Sequence, residues 1–170
     1  MRCIALILAI SLIGCKASEH STSEGPVWKD AYSAKECAAL LERKTFLQRC
    51  GDGSLASAMK VINNDISKCM PFSKPQQMSG LWVRDLEYSG FYSGAEKLSD
   101  IAGKDSNTWL SLDLREREIT AGQGTGNLVY RVEFIGRHSL CEFGYGHMGG
   151  YPQEVIVDRF LKKVPLSDAR

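Results

Sequence analysis

The spacing of apolar residues divides the chain into a helical first half and a strand-forming second half. The first apolar stripe follows a capping box, Ser33-Ala-Lys-Glu36, and occupies Cys37, Leu40, Leu41 and Leu47. The second stripe advances in steps of three or four before Pro71 and occupies Leu55, Met59, Ile62, Ile66 and Cys69. Only Gly51-Asp52-Gly53 separates the two stripes. Because so short a connection makes neighbouring helices antiparallel, the pattern predicts a helical hairpin over residues 33–70.

Beyond residue 79 the apolar period changes to two. Residues 81–92 are rich in aromatic and β-branched side chains, and apolar positions then alternate with polar ones at Leu110 and Leu112, at Leu128, Tyr130, Val132 and Phe134, and at Val155 and Val157. Such alternation is typical of antiparallel strands that bury one face. We expect five or six strands over residues 79–165, counting residues 137–143 and 115–120. Since the helices precede the strands, the fold class is α+β, and a small OB-like barrel is the favoured form of the sheet.

The N-terminus carries the features of an export signal. An apolar run over residues 4–13 follows a single positive charge at Arg2 and ends in Leu12-Ile13-Gly14-Cys15. This ending resembles the lipobox of bacterial lipoproteins, and the resemblance covers residues 1–16. It implies cleavage after Gly14 and lipidation of the Cys15 thiol. An ordinary cleavable signal peptide is the alternative, since the run is shorter than the about 20 residues that span a bilayer.

The lipoprotein resemblance also implies an order of segments and a location. Residues 15–25 lack apolar periodicity and are expected to form a flexible tether, followed by a single domain over residues 26–170. Lipid chains on Cys15 would hold the protein on a membrane. The residue after Cys15 is Lys16 rather than the Asp that commonly retains lipoproteins at the inner membrane. We therefore expect the outer membrane of a two-membrane bacterium, facing the periplasm.

Charge and cysteine content narrow the possible partners and the compartment. Loss of residues 1–14 removes one base and no acid from 21 bases and 20 acids, so the mature chain has no net charge and nucleic-acid binding is disfavoured. Four cysteines then remain besides Cys15, and an even number in an exported chain indicates disulfides. A hairpin with a continuous first helix brings Cys37 level with Cys69, which leaves Cys50 to pair with Cys141. A helix break near residues 43–45 would instead allow Cys37 to pair with Cys50.

Two stretches are candidate binding elements. Residues 144–152 contain four glycines together with Tyr145, His147, Met148 and Tyr151, and such a loop between strands is suited to binding. The alternative is an elaborate turn whose tyrosines cover the barrel mouth. A candidate aromatic groove on one sheet face comprises Trp82, Tyr88, Phe91 and Trp109. Packing of these rings in the core is the alternative.

The remaining chemical motifs are weak. His138, Cys141 and His147 could suggest zinc, but a structural site needs four ligands, and we predict neither a metal nor a cofactor. The glycine-rich residues 122–127 match no nucleotide-binding loop and predict a hairpin turn. A hydrolase could use two carboxylates from Asp85, Glu87, Asp113, Glu116 and Glu118, but a solvated charged face is the favoured explanation. No recognisable nucleophile motif is present in the sequence.

These features favour a lipid-anchored envelope protein of non-catalytic binding type. Its partner would be a protein or peptidoglycan, and its role that of an inhibitor, an immunity protein or an accessory subunit of an envelope assembly. One alternative is an enzyme acting on cell-wall glycan or peptide, which needs carboxylates in a cleft. Another is a small-ligand carrier, which needs a hollow barrel and is disfavoured if Leu128, Tyr130, Val132 and Phe134 fill the interior.

Overall fold

A computed structural model of the protein describes residues 29–113, 116 and 128–166. The predicted signal peptide, Cys15, the tether, the turn at 122–127 and all of the proposed strand at 115–120 except Glu116 lie outside the described residues. The helices are α1 (Ala34–Leu41), α2 (Arg43–Cys50) and α3 (Leu55–Asp65), and a 3-10 turn follows at Ile66–Lys68. The strands are β1 (Gln76–Arg84), β2 (Ser89–Ser93), β3 (Thr108–Leu112), β4 (Leu128–His138) and β5 (Gln153–Pro165).

Local hydrogen bonds set where the first helices begin and end. The predicted capping box is present, with Ser33 Oγ accepting from the Glu36 backbone N–H and the Glu36 carboxylate accepting from the Ser33 N–H at 2.9 Å. The chain leaves helical geometry at Glu42, whose ψ is 127°. The Glu42 carboxylate accepts from the N–H groups of Lys44 and Thr45 and so caps α2. The predicted first helix is therefore two helices, broken one residue before the expected weak point.

The helical layer forms one core against the outside of the barrel. Ala58 and Ile66 of this layer are buried, as are Met70 and Phe72 beyond it, and they pack with the other members of the cluster, Cys50, Cys69, Tyr145 and Ile156. Two members of the predicted second stripe lie outside this core, since Leu55 is 60% exposed and Met59 is 44% exposed. The buried residue of α3 is Ala58, and this helix packs mainly against α2.

The five strands close into a barrel in the order β1-β2-β3-β5-β4, with β1 pairing to both β2 and β4. This confirms the expected α+β class, and the small OB-like barrel fits it. Among the described strands, β3 and β5 form a parallel pair and the other neighbours are antiparallel. The parallel pair follows from closure, because strand direction cannot alternate all the way round a ring with an odd number of strands.

Side chains of alternate strand residues fill the barrel interior. Tyr130, Val132 and Phe134 of β4 point inward, as their period of two predicts, and their register sets Trp82 opposite Tyr130. The ring centroids of Trp82 and Tyr130 lie 5.4 Å apart, and Phe91 lies 5.3 Å from Phe134 in an edge-on arrangement. Leu110, Val155 and Val157 complete this buried cluster. The interior is a packed core rather than a hollow.

One disulfide joins the helical layer to the barrel. Cys37 of α1 is bonded to Cys141, just after β4, with a Cα–Cα distance of 5.5 Å. The predicted pairing of Cys37 with Cys69 and of Cys50 with Cys141 is therefore wrong. That prediction assumed one continuous first helix, whereas the non-helical Glu42 ends α1 and lets α2 run in a different direction. Cys50 and Cys69 are buried free thiols.

Candidate functional site

A cleft of about 250 Å³ lies between the helical layer and the outer surface of the barrel. One wall is the end of α3 and the 3-10 turn, and the opposite wall comes from β3, β4, β5 and the glycine-rich loop after β4. The side chains that carry its chemistry are Asp65, Trp109, Ser111, Asp113, Arg137, Tyr145 and Glu154. Most of these point outward from the barrel because their strand neighbours point inward.

Arg137 holds the two walls of the cleft together. Its Nε and Nη2 atoms donate to Asp158 Oδ1 at 2.9 and 2.7 Å, which makes a forked ion pair between β4 and β5. Its Nη1 donates to Ser67 Oγ in the 3-10 turn at 2.8 Å, and Nη2 lies 4.0 Å from the Asp113 carboxylate. The guanidinium therefore connects the helical wall with two other positions, Asp158 on β5 and Asp113 just after β3.

Two buried side chains form the floor of the cleft. Glu154 is 5% exposed and accepts a hydrogen bond from Ser111 Oγ, while its backbone N–H donates to Ser139 Oγ at 3.0 Å. Tyr145 is 1% exposed, and its hydroxyl donates to the Cys141 carbonyl at 2.9 Å. Burial raises the pKa of the Tyr145 phenol above its usual range. This residue of the predicted binding loop therefore supports the loop from inside.

The glycine-rich loop presents its tip in a defined conformation. The backbones of Tyr145 and Tyr151 bond each other at 2.8 and 3.2 Å, which closes the loop at its base. Gly146 has a φ of 68° and lies on the Trp109 ring so closely that a Cβ there would be 2.5 Å from the nearest ring carbon. At the tip, Met148 is 90% exposed and has a φ of 55°, a backbone conformation rare for its residue type.

Half of the predicted aromatic groove meets this loop. The Tyr151 ring lies 5.1 Å from that of Trp109 and 5.9 Å from that of Tyr88, and the Tyr88 and Tyr92 hydroxyls hydrogen-bond at 2.9 Å. We call Tyr88, Tyr92, Trp109 and Tyr151, which are all partly exposed, the aromatic cluster. Burial raises the Tyr92 pKa.

The other two rings of the predicted groove belong to the core. Trp82 is 2% exposed and Phe91 is 3% exposed, and both lie inside the barrel. The sequence did not indicate three of the site residues, Tyr92, Arg137 and Glu154. Period-two alternation already places Arg137 and Glu154 on the outer face of their strands, but it does not show which residues face them.

The predicted carboxylate set does not come together as a unit. Asp85 and Glu87 are exposed in the β1–β2 turn, whereas Asp113 lines the cleft. Glu116 is only 8% exposed and does not line the cleft, and Glu118 lies outside the described residues. The His-Cys-His motif is also dispersed: His138 Nδ1 contacts Gln76 Nε2 at 2.7 Å, Cys141 is in the disulfide and His147 is exposed. Within residues 29–113, 116 and 128–166, no group of three or more His, Cys, Asp or Glu side chains is placed to hold a metal.

Fold and site together define a small α+β protein with an OB-like barrel and a cleft on its outer face. Comparison with protein-family models, with curated proteins and with solved structures finds no match to the chain. In the described part of the chain, no helix has the length and apolar character needed to cross a bilayer.

Proposed function

We propose that this chain is a lipid-anchored, non-catalytic binding protein of the bacterial envelope. Its partner, a protein or peptidoglycan, docks on the surface formed by Met148, His147 and the aromatic cluster. The observation that carries this proposal is Met148, which is 90% exposed on a loop whose base is closed by backbone hydrogen bonds. A loop whose backbone is already fixed loses little backbone entropy on binding, and strained backbone of this kind occurs frequently at functional sites.

The position of this surface in the barrel supports the same proposal. OB-folds commonly bind ligands on the face of their second and third strands and on the loops after the first and fourth strands. Tyr88 and Trp109 belong to that region here, and the loop that carries Met148 and Tyr151 follows β4. Since one fold serves many functions, the fold supports the place of binding and leaves the partner to experiment.

The docking surface is tested with two matched variants. Mature protein with Cys15→Ser is immobilised and exposed to a detergent extract of the cell envelope, and the retained proteins are identified by mass spectrometry. We expect one stoichiometric partner, retained at least about tenfold less by Met148→Asp, as is typical of an interface hot spot. Leu55→Asp is the control, because Leu55 is a 60% exposed apolar residue at the first turn of α3, where an acid is tolerated. Equal loss in both variants, or none in either, contradicts the proposed surface.

The lipid anchor is tested separately from the docking surface. The full chain is expressed in a two-membrane bacterium grown with radiolabelled palmitate, next to a Cys15→Ser variant. We expect label on the parent chain in the outer-membrane fraction and none on the variant. An unlabelled parent chain would contradict the lipobox interpretation while leaving the docking surface to its own test.

The structure bears differently on the two alternative functions. The packed barrel interior, with Tyr130, Val132 and Phe134 inside, speaks against a carrier that uses that space. One observation supports the alternative of a cell-wall enzyme: the carboxylates of Asp113 and Glu154 line the same cleft as Trp109. Release of soluble fragments from purified peptidoglycan, abolished by Asp113→Asn, would favour the enzyme over the binding protein.

A further inference from the structure

The two cysteines outside the disulfide lie together in the core of the helical layer. Cys50 ends α2 and is 1% exposed, and Cys69 follows the 3-10 turn and is fully buried. Arg49 Nε donates to the Cys69 carbonyl at 2.6 Å, which fastens the backbone beside one cysteine to the backbone of the other. Both cysteines belong to the same buried cluster of the helical layer.

We propose that Cys50 and Cys69 form a second disulfide when the protein folds in an oxidising compartment. The bonded pair Cys37 and Cys141 already requires such a compartment, and it leaves these two thiols as neighbours in one cluster. The inference rests on the export that the proposed function includes. It differs from the pairing predicted from the sequence, because each of the four cysteines now has a different partner.

The oxidation is a thiol–disulfide exchange with an envelope oxidant that carries a disulfide. One cysteine thiolate attacks the oxidant, which releases one of its sulfurs as a thiol and leaves a mixed disulfide. The second cysteine then displaces the oxidant, so that two protons and two electrons leave the pair and the oxidant becomes a dithiol. No further reactant is needed for the balance.

Burial determines when this exchange can occur. The pKa of the Cys69 thiol is raised by burial and by its neighbour Cys50, and burial also raises that of Cys50. A closed core therefore holds both as unreactive thiols that no oxidant reaches. The bond is expected to form while the helical layer is still open, before Cys50 and Cys69 lose contact with solvent.

The bond would fix one wall of the cleft. Residues 51–68 form the loop that it closes, and this loop contains α3 and the 3-10 turn. Ile62 and Ile66 at the end of that loop line the cleft, as does Asp65. Oxidation thus anchors the helical wall at both ends, at Cys50 and Cys69.

The state of the cysteines is measured in the full chain without any substitution. Protein extracted from membranes is unfolded in denaturant under non-reducing conditions, alkylated and digested, and linked peptides are identified by mass spectrometry. We expect the Cys50–Cys69 linkage together with Cys37–Cys141 and no alkylation at these four positions. Alkylated Cys50 and Cys69 beside an intact Cys37–Cys141 bond would overturn the proposal, as would linkage of either to Cys37 or Cys141.

The Cys37–Cys141 bond separates failure of this inference from failure of the export proposal. If all four cysteines are reduced, the chain has not met an oxidising compartment, and it is then unfolded and refolded in oxidised and reduced glutathione. Formation of Cys50–Cys69 under these conditions supports the inference, and its absence after Cys37–Cys141 has formed overturns it.

A variant cycle distinguishes the bond from simple packing. Cys50→Ala, Cys69→Ala and the double variant should each lower Tm by a similar amount, about 10 °C, because either single change already removes the bond. Losses in the singles that add up in the double variant would show that the two side chains only pack.

Discussion

Replacement of Arg137 by Met tests whether one guanidinium holds the cleft together. The side chain is 21% exposed and its partner Asp158 is 23% exposed, so the burial of this forked pair is intermediate between that of a surface ion pair and that of a fully buried one. Exposed pairs contribute about 0.2–1 kcal/mol, whereas breaking a buried one costs about 3–5 kcal/mol. Arg137→Met also removes the hydrogen bond to Ser67. We expect a loss of about 3 kcal/mol in the free energy of unfolding, or about 9 °C in Tm.

The matched control is Arg131→Met on the same strand. Arg131 is exposed, and its Nη2 donates a hydrogen bond to the Glu96 carbonyl at 2.6 Å, so loss of this side chain should cost less than about 1 kcal/mol. Urea unfolding followed by tryptophan fluorescence measures both. Arg137→Lys should fall between the two, because it keeps the charge and loses the fork. A cost of Arg137→Met no larger than that of Arg131→Met would show that the ion pair does not stabilise the fold.

Two further predictions concern the loop and the first helix. In urea unfolding, Gly146→Ala should lower the free energy of unfolding by about 3 kcal/mol and Gly94→Ala by about 1 kcal/mol. Both glycines have positive φ, but only Gly146 abuts the Trp109 ring. Equal losses in the two variants would refute the close approach. Hydrogen bonding to Lys29 lowers the pKa of Glu36 to about 2 from 4.5, so its stabilising contribution is present above pH 4.5 and is lost as the pH falls to about 2. Glu36→Gln should flatten the Tm profile over that window, and an unchanged profile would contradict this assignment.

The elements whose cause is local were predictable. The Ser33 capping box and the helix after Ser54 depend on hydrogen bonds within three residues, so a short stretch of sequence encodes them. Alternation in β4 likewise identified Tyr130, Val132 and Phe134 as one face, because a strand turns successive side chains to opposite sides. Helices first and strands afterwards then led to the α+β class.

Tertiary structure decided everything that depends on distant partners. The break at Glu42 changes where α1 points, and it is this direction that brings Cys37 to Cys141, 104 residues away. Alternation puts Trp109 on the face opposite to that of Leu110 and Leu112, but only the closed barrel shows that Trp82 lies inside and that the glycine loop packs on Trp109. The site followed the same rule: Arg137 was an outward-facing charge in the sequence, and only the fold supplied Asp158 and Ser67 as its partners. A residue's face is a local property of its strand, whereas its partners depend on how the strands and helices meet.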